Sequence, residues 1–308
     1  MRPESDTRRF VVPESLDGRP LDRALRTLAG MSWGDARTMI ARGKVQLAGV
    51  VAMEAERRVS KGDALEIDPR AAAPKRSLGI DRSALLYVDP QLVVVNKPAG
   101  VSSVPYDQGE RGTLDQLVAA LLPRSRGKGP PATLGVVQRL DKDTSGVIVF
   151  ARTFAAKKAL AGQLRARTVH RRYLALAHGE VEKRTLRSYL VKNRGDNLRG
   201  ASRFGQEGQL AITHVEPIRR LPSATLVACR LETGRTHQIR IHLAEAGHPI
   251  VGERVYVRDY GGDRLAAPRP MLHAAELGFI HPVKQSSMTF EAPLPADFVE
   301  MLRRLEVG

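Results

Sequence analysis

Residues 136–150 restrict the fold of this chain more than any other stretch: Val136-Val137-Gln138-Arg139-Leu140-Asp141-Lys142-Asp143-Thr144-Ser145-Gly146-Val147-Ile148-Val149-Phe150. An apolar run leads in and a stronger one, Val147 to Phe150, leads out, both with the β-branched content of buried strands. The dense polar segment between them ends at Ser145-Gly146, where glycine permits a turn that other residues resist. Asp141 is therefore held on a short strand-to-strand connection, with Arg139 and Lys142 close beside it. A plain turn would need only Asn-Gly or Asp-Gly. Asp141 and Asp143 either cap backbone N–H groups, as aspartate does in many loops, or present a carboxylate to a ligand. The local sequence leaves both readings open.

Charge narrows what that ligand is. The 308 residues carry 49 Lys and Arg against 33 Asp and Glu, a formal net charge of +16 with a pI near 10.5. A polyanionic partner is expected, most simply nucleic acid; a generically basic surface or an attraction to anionic lipid would read the same way. No run reaches the length of a membrane span and no signal peptide opens the chain, so no membrane partner and a cytoplasmic location are expected. The single cysteine, Cys229, excludes an internal disulfide framework and fits a reducing compartment. It lies in the apolar run from Ala224 and reads as a buried, inert thiol. Residues 1–6 are polar and are expected to be disordered.

With 42% hydrophobic residues, the chain is long enough for one large domain plus a small one. The small one is placed at residues 14–70. Leu21, Leu25 and Leu28 share the face of a first helix. Ser32 caps a second, through Ala36, Met39 and Ile40, that stops at Gly43. Short strands follow at Lys44 to Leu47, Val50-Val51 and Ala64 to Ile67. Arg23, Arg26, Arg37, Arg42 and Lys44 decorate the helices and the turn after them. A linker is placed at Ala71-Ala72-Ala73-Pro74-Lys75-Arg76.

The large domain is placed at residues 80–306. Its strands far outnumber its helices and show no βαβ alternation, which predicts an α+β domain on a mixed, mostly antiparallel sheet. Strands are expected at Leu85 to Val88, Leu92 to Val95, His170 to Ala177, Ala211 to Pro217, Ala224 to Leu231 and Met271 to Ile280. Helices are expected at Leu114 to Leu122, Phe154 to Arg167, Thr236 to Ala246 and Phe298 to Leu305. A basic loop, residues 123–131, precedes the central stretch, and 186–198 reads as a hairpin or excursion. His237, His242 and His248 lack metal spacing, and no glycine-rich phosphate loop occurs, so no cofactor and no metal are expected. One carboxylate on a rigid turn, a nearby tyrosine and an arginine on a helix, in a basic cleft, suit glycosidic chemistry on RNA better than strand hydrolysis. A carboxylate can attack the anomeric carbon of ribose or stabilise its cationic character. If water is excluded, the detached base can rotate and rejoin through another atom.

Residues 138–146 resemble the H-R-L-D-x-x-T-S-G signature of the RluA-type pseudouridine synthases. Lys97-Pro98-Ala99-Gly100, Arg172-Tyr173-Leu174-Ala175, the block from Thr233 to His242, Gly247 to Gly252, and Leu272-His273-Ala274 match the family's other blocks in family order. The resemblance implies that Asp141 is the catalytic aspartate, that Tyr173 packs on the target base, and that Arg240 pairs with the aspartate and opposes the effect of burial on it. It implies that Arg139 fills the RNA stack where the target uridine leaves, and that Arg172, Arg235 and His237 face RNA. Tyr173 is also the family's proposed base in proton removal. Nucleophilic attack and glycal formation both remain open for Asp141. Gln138 stands where the family usually has His, which bears on substrate preference. Glu253 stands where the family more often has Asp, a difference given little weight. Gly43-Lys44-Val45-Gln46-Leu47-Ala48-Gly49, after two helices, is similar to the RNA-binding module named after ribosomal small-subunit protein S-four, which implies an RNA grip through Arg23, Arg37 and Lys44.

The expected activity is uridine-to-pseudouridine isomerisation in structured RNA by a monomer. Large-subunit ribosomal RNA is the first substrate and tRNA the second. The rivals are a non-catalytic RNA-binding or ribosome-assembly protein and a glycosidase that releases free base.

Overall fold

The computed structural model describes residues 7–53, 55–71, 80–107, 109–122, 133–196, 198–202, 205 and 207–307. The tail expected to be disordered, the expected linker beyond Ala71, and the basic loop at 123–131 lie outside the described residues. The chain divides into two compact units, Met1–Ser77 and Leu78–Gly308. No helix among the described residues is long and apolar enough to cross a membrane.

The first unit packs helices α1 (Leu21–Ala29) and α2 (Trp33–Ala41) on a sheet of β1 (Arg8–Val11), β2 (Val45–Leu47), β3 (Val50–Val51) and β4 (Ala64–Ile67), in the order β1-β4-β2-β3. Leu21 and Leu25 of α1 bury with Ile40 of α2, Val45, Leu65 and Ile67. Ser32 caps α2 by accepting from the Asp35 N–H at 3.1 Å. Strand β1 falls outside the unit as expected from residue 14. It is an edge strand whose two leading arginines are exposed, and only Phe10 packs on the core, so its sequence carries no alternation to read.

The second unit adds β5 (Leu85–Val88), β6 (Leu92–Lys97), α3 (Leu114–Leu121), β7 (Gly135–Val136), β8 (Ser145–Ala151), α4 (Phe154–Arg165), β9 (His170–His178), β10 (Arg184–Val191), β11 (Gly200–Ala201), β12 (Gln209–Arg220), β13 (Ala224–Leu231), α5 (Gln238–Glu245), β14 (Leu272–Ile280), β15 (Ser287–Glu291) and α6 (Ala296–Val307). The sheet runs β11-β10-β12-β13-β9-β14-β8-β6-β5, with β15 paired to β14 and β7 to β8. Strands β8 and β14 are parallel and the other described pairs antiparallel, so the domain is α+β on a mixed, mostly antiparallel sheet. The unbroken apolar runs have a direct cause. Val93, Val95, Ile148 and Phe150 face a core closed by Leu114 of α3, Ile239 and Leu243 of α5, and Phe298 of α6. Leu92, Val94, Val147 and Val149 face a second core with Leu160 of α4 and Phe279 of β14. Both faces of β6 and β8 are covered, so neither strand alternates.

Two local expectations need correction. Ser145 and Gly146 do not end the turn; they are the first residues of β8. Gly146 has φ +114°, and a Cβ there would overlap the Ala274 carbonyl of β14, so glycine is required by a close strand approach. Helix α5 starts at Gln238 and not at Thr236, because His237 is left-handed, with φ +59°.

Candidate active site

Asp141 sits on the connection between β7 and β8, and buried donors fix the backbone around it. The Ser103 hydroxyl donates to the Leu140 carbonyl at 2.7 Å and accepts from the Leu140 N–H at 3.0 Å. Lys97 Nζ and the Gly100 N–H both donate to the Lys142 carbonyl, each at 2.8 Å. Arg269 Nη1 donates to the Asp143 carbonyl at 3.0 Å, while its other atoms grip Asp297 of α6 at 2.6 and 2.9 Å. Thr144 closes the turn by donating its N–H to the Asp141 carbonyl. The carboxylate itself keeps 24% of its side chain exposed. A rigid backbone thus presents one open acid.

Lys97 is fully buried. Burial pulls its ammonium down to about 7, against the opposing pull of Asp143 and Asp141. The sequence marked its block without giving this lysine a task.

Arg240, on α5, points Nη1 at the Asp141 carboxylate from 4.0 Å. That is the expected pairing with Asp141 at long range, and Arg240 also has a closer partner, Glu253. Nε and Nη2 of Arg240 each lie 2.7 Å from a Glu253 oxygen. Glu253 also accepts from the Arg254 and Val255 N–H groups, both at 2.9 Å. Burial alone would raise the Glu253 carboxyl, but the Arg240 charge and these donors outweigh it and hold the group at about 2. An ionised, buried Glu253 thus locks the guanidinium in one orientation, leaving its third nitrogen for Asp141. The only sequence signal was the acidic position after Gly252.

His237 Nε2 lies 3.9 Å from the other carboxylate oxygen of Asp141. Its Nδ1 shares a 2.7 Å hydrogen bond with the Tyr256 hydroxyl, and the Tyr256 ring lies under the Arg240 guanidinium at 5.4 Å. Gln238 supports this corner. It accepts from Thr233 and from the Arg235 N–H, and donates to the Ile212 carbonyl and Thr213 of β12.

Tyr173, on β9, is 8% exposed. Burial pushes its phenol up to about 12, Arg171 pulls it down, and Asp141 pushes it up, so Tyr173 and Asp141 lie within electrostatic reach. Arg172 does not join them. It pairs in register with Arg230 of β13 and Glu276 of β14, and strand alternation turns it to the face opposite Tyr173. The neighbour on the Tyr173 face is Arg171, which no sequence block marks as a site residue. Arg139 is exposed, two residues before Asp141. Arg235 is exposed on the turn before α5, with Nε donating to the Leu210 carbonyl at 3.1 Å.

Arg23, Arg37 and Lys44 belong to the first unit. Arg23 is exposed. Arg37 neutralises the buried Asp22 at 3.0 Å and lies over the half-exposed Trp33 ring, as Arg26 does more closely. Lys44 donates to the Ala71 carbonyl. Cys229 is fully buried, and its thiol is pushed up to about 12, which makes it inert.

A fixed carboxylate, a cation 4.0 Å from it, and a buried aromatic in reach suit substitution at a sugar carbon followed by retention of a planar base. The family model described as RNA pseudouridylate synthase matches residues 91–245. The ribosomal large subunit pseudouridine synthase D of Xylella fastidiosa is 37% identical over 97% of this chain and 92% of its own length. The Zymomonas mobilis protein of the same name is 34% identical over 98% of both chains. Among solved structures, human RNA pseudouridylate synthase domain containing 4 superposes with TM-score 0.59 at 23% identity, covering 72% of this chain and 93% of that one.

Proposed function

The chain belongs to the RNA pseudouridylate synthase family, whose members are isomerases acting on RNA, and we propose that it converts uridine to pseudouridine in large-subunit ribosomal RNA. The observation that carries the proposal is the Asp141 carboxylate, anchored through its neighbours' carbonyls and faced by Arg240 at 4.0 Å. The choice of RNA rests on the names of the relatives.

The reaction needs a uridine turned out of its stack. Flipping costs a few kcal/mol, and Arg139, exposed two residues before Asp141, is read as the cation that fills the gap. In the nucleophilic route an Asp141 oxygen bonds to C1′ while the C1′–N1 bond breaks and its electron pair leaves with the uracil. The uracil turns until C5 faces C1′. The C5–C1′ bond then forms as the Asp141 oxygen leaves, C5 loses its proton and N1 gains one. In the glycal route the same carboxylate takes the proton from C2′ as the C1′–C2′ double bond forms and the C1′–N1 bond breaks, its electron pair leaving with the uracil. C5 then bonds to C1′ as the proton returns to C2′, C5 loses its proton and N1 gains one. Tyr173 holds the plane of the base while it is detached. Its raised phenol is protonated at neutral pH, so it meets the base as a donor and an apolar face. Arg240, held by Glu253, balances Asp141 whenever the carboxylate is free.

The first unit is read as an S-four-type module that grips RNA through Arg23, Arg37 and Lys44. The protein is read as a cytoplasmic monomer. A tRNA substrate is the second reading of the target.

Release of tritium from C5-labelled uridine tests the whole reading. Wild-type protein should free the label from an unmodified large-subunit ribosomal RNA transcript without freeing base. Asp141→Asn should abolish release and leave RNA affinity close to wild type. Turnover surviving that substitution overturns the assignment. Free uracil in its place marks a glycosidase, and release confined to tRNA moves the target.

A further inference from the structure

Arg171 is a buried charge that the reaction above does not use. It lies on β9, two residues before Tyr173 and on the same face of the strand. Only 6% of it is exposed. Nη2 donates to the Glu232 carbonyl at 3.0 Å, and Nε is buried without a partner. Among the described residues no carboxylate pairs with it. The side chain of Glu232, whose carbonyl Arg171 binds, turns instead to His214 at 2.6 Å and Arg167 at 3.3 Å. The charged groups that bear on Arg171 are Tyr173 and a second cation, Arg235. Tyr173 cannot serve as counter-ion, because its buried phenol stays protonated. Between Glu232 and Arg235 the turn carries Gly234, and a Cβ there would lie 2.7 Å from Arg171 Nη1. The absent side chain is what leaves room for the guanidinium.

A buried cation beside another cation, with an unmet N–H, is costly to fold. An anion arriving next to both offsets that cost. Two guanidiniums suit a phosphate geometrically, since each presents a planar fork of donors. We propose that Arg171 and Arg235, with the Gly234 turn between them, form a phosphodiester-binding site beside Tyr173 that takes a backbone phosphate of the RNA next to the everted uridine. The proposal rests on the RNA reading above and deepens it. Arg235 supplies the exposed half of the site and Arg171 the buried half. The site fixes the everted nucleotide by its own backbone, and it carries no sequence information.

The test uses the full-length protein and an unmodified large-subunit ribosomal RNA transcript. Binding is measured over a range of salt concentrations, with melting temperatures and tritium-release kinetics alongside. Arg171→Met should weaken RNA binding by about tenfold, the scale of one hydrogen-bonded charge. It should reduce the slope of log affinity against log salt by about one. It should raise KM more than it lowers kcat. Its melting temperature should match or exceed that of wild type, because an uncompensated charge has left the interior. Inorganic phosphate should raise the wild-type melting temperature beyond what chloride does at equal ionic strength, and should not raise the variant's. Arg171→Lys, which keeps the charge without the fork, should bind RNA with intermediate affinity. A lowered melting temperature with an unchanged salt slope overturns the proposal, since Arg171 is then only structural. If Arg171→Met does not fold, the lysine variant and the phosphate response of the wild type decide, and wild-type affinity with no phosphate response overturns it. A wild-type protein that binds RNA through this site yet makes no pseudouridine would sink the enzymatic reading and spare the phosphate site. The reverse pattern would sink the site alone.

Discussion

Lys97 has no exposed surface, and its role follows from what it donates to. Its ammonium reaches the Pro98 carbonyl at 2.9 Å and the Lys142 carbonyl at 2.8 Å, so it ties the end of β6 to the residue after Asp141. Lys97→Met keeps the length of the side chain and leaves both carbonyls without that donor. It should cost about 1–3 kcal/mol of stability, the scale of an unmet buried polar group, and should lower kcat by loosening the Asp141 turn. The pH dependence has a definite sign. The folded pKa of about 7 lies below the ordinary 10.5, so between those values the unfolded chain binds more protons than the native one. Stability contributed at this position therefore rises as pH rises from about 7 to 10. Urea melts across that range should show the gap between wild type and Lys97→Met widening with pH; a constant gap would mean that Lys97 titrates normally. At this scale Asp141, Tyr173 and Arg240 were singled out in the sequence because their blocks are local. Glu253 and Arg171 were not. Their significance lies in burial and in partners distant in sequence, Arg240 for one and the Glu232 carbonyl for the other.

Among the elements, the strands of the large sheet were legible where they are buried on both faces, as at Leu92 to Val95 in β6 and Val147 to Phe150 in β8. The start of α5 was not, because a left-handed His237 has no signature in a run of otherwise helical residues. Arg172, expected from the sequence to face RNA, lies on the face of β9 opposite Tyr173, because adjacent strand residues face opposite ways. Helix α5 is tied to the loop after β-bridge residue Ile250 through Arg240 and Glu253, both nine-tenths or more buried. Glu253→Gln removes the charge from a buried pair and strands the guanidinium, which should cost about 3–5 kcal/mol. It should also release Arg240 toward Asp141, so turnover should fall more than RNA affinity does. The folded Glu253 carboxyl, at about 2, lies below its ordinary 4.5. The stability it contributes is present above about 4.5 and disappears as pH falls toward 2. Acid melts of wild type should steepen in that window, and those of Glu253→Gln should not. Identical acid profiles would show that the pair contributes no such linkage.

Across the whole molecule, each unit has a core of its own. One is built on Leu21, Leu25, Ile40 and Leu65, the others on the two faces of the large sheet. Neither needs the other's side chains to close, so removal of residues 1–77 should leave the second unit with a cooperative melting transition. The basic residues of the first unit, Arg23, Arg37 and Lys44 among them, then cease to contribute to RNA binding. Each RNA phosphate that this unit no longer neutralises should lower the slope of log affinity against log salt by about 0.9. The carboxylate, its arginine and its tyrosine all lie in the remaining unit, so tritium release from a short hairpin carrying the target uridine should change little. Release from the long transcript should fall through KM, because a long RNA can occupy both units and a short one only the second. Equal losses on the long and short substrates would show that the first unit supports the fold or the chemistry of the second, and the RNA-gripping role assigned to it would fail.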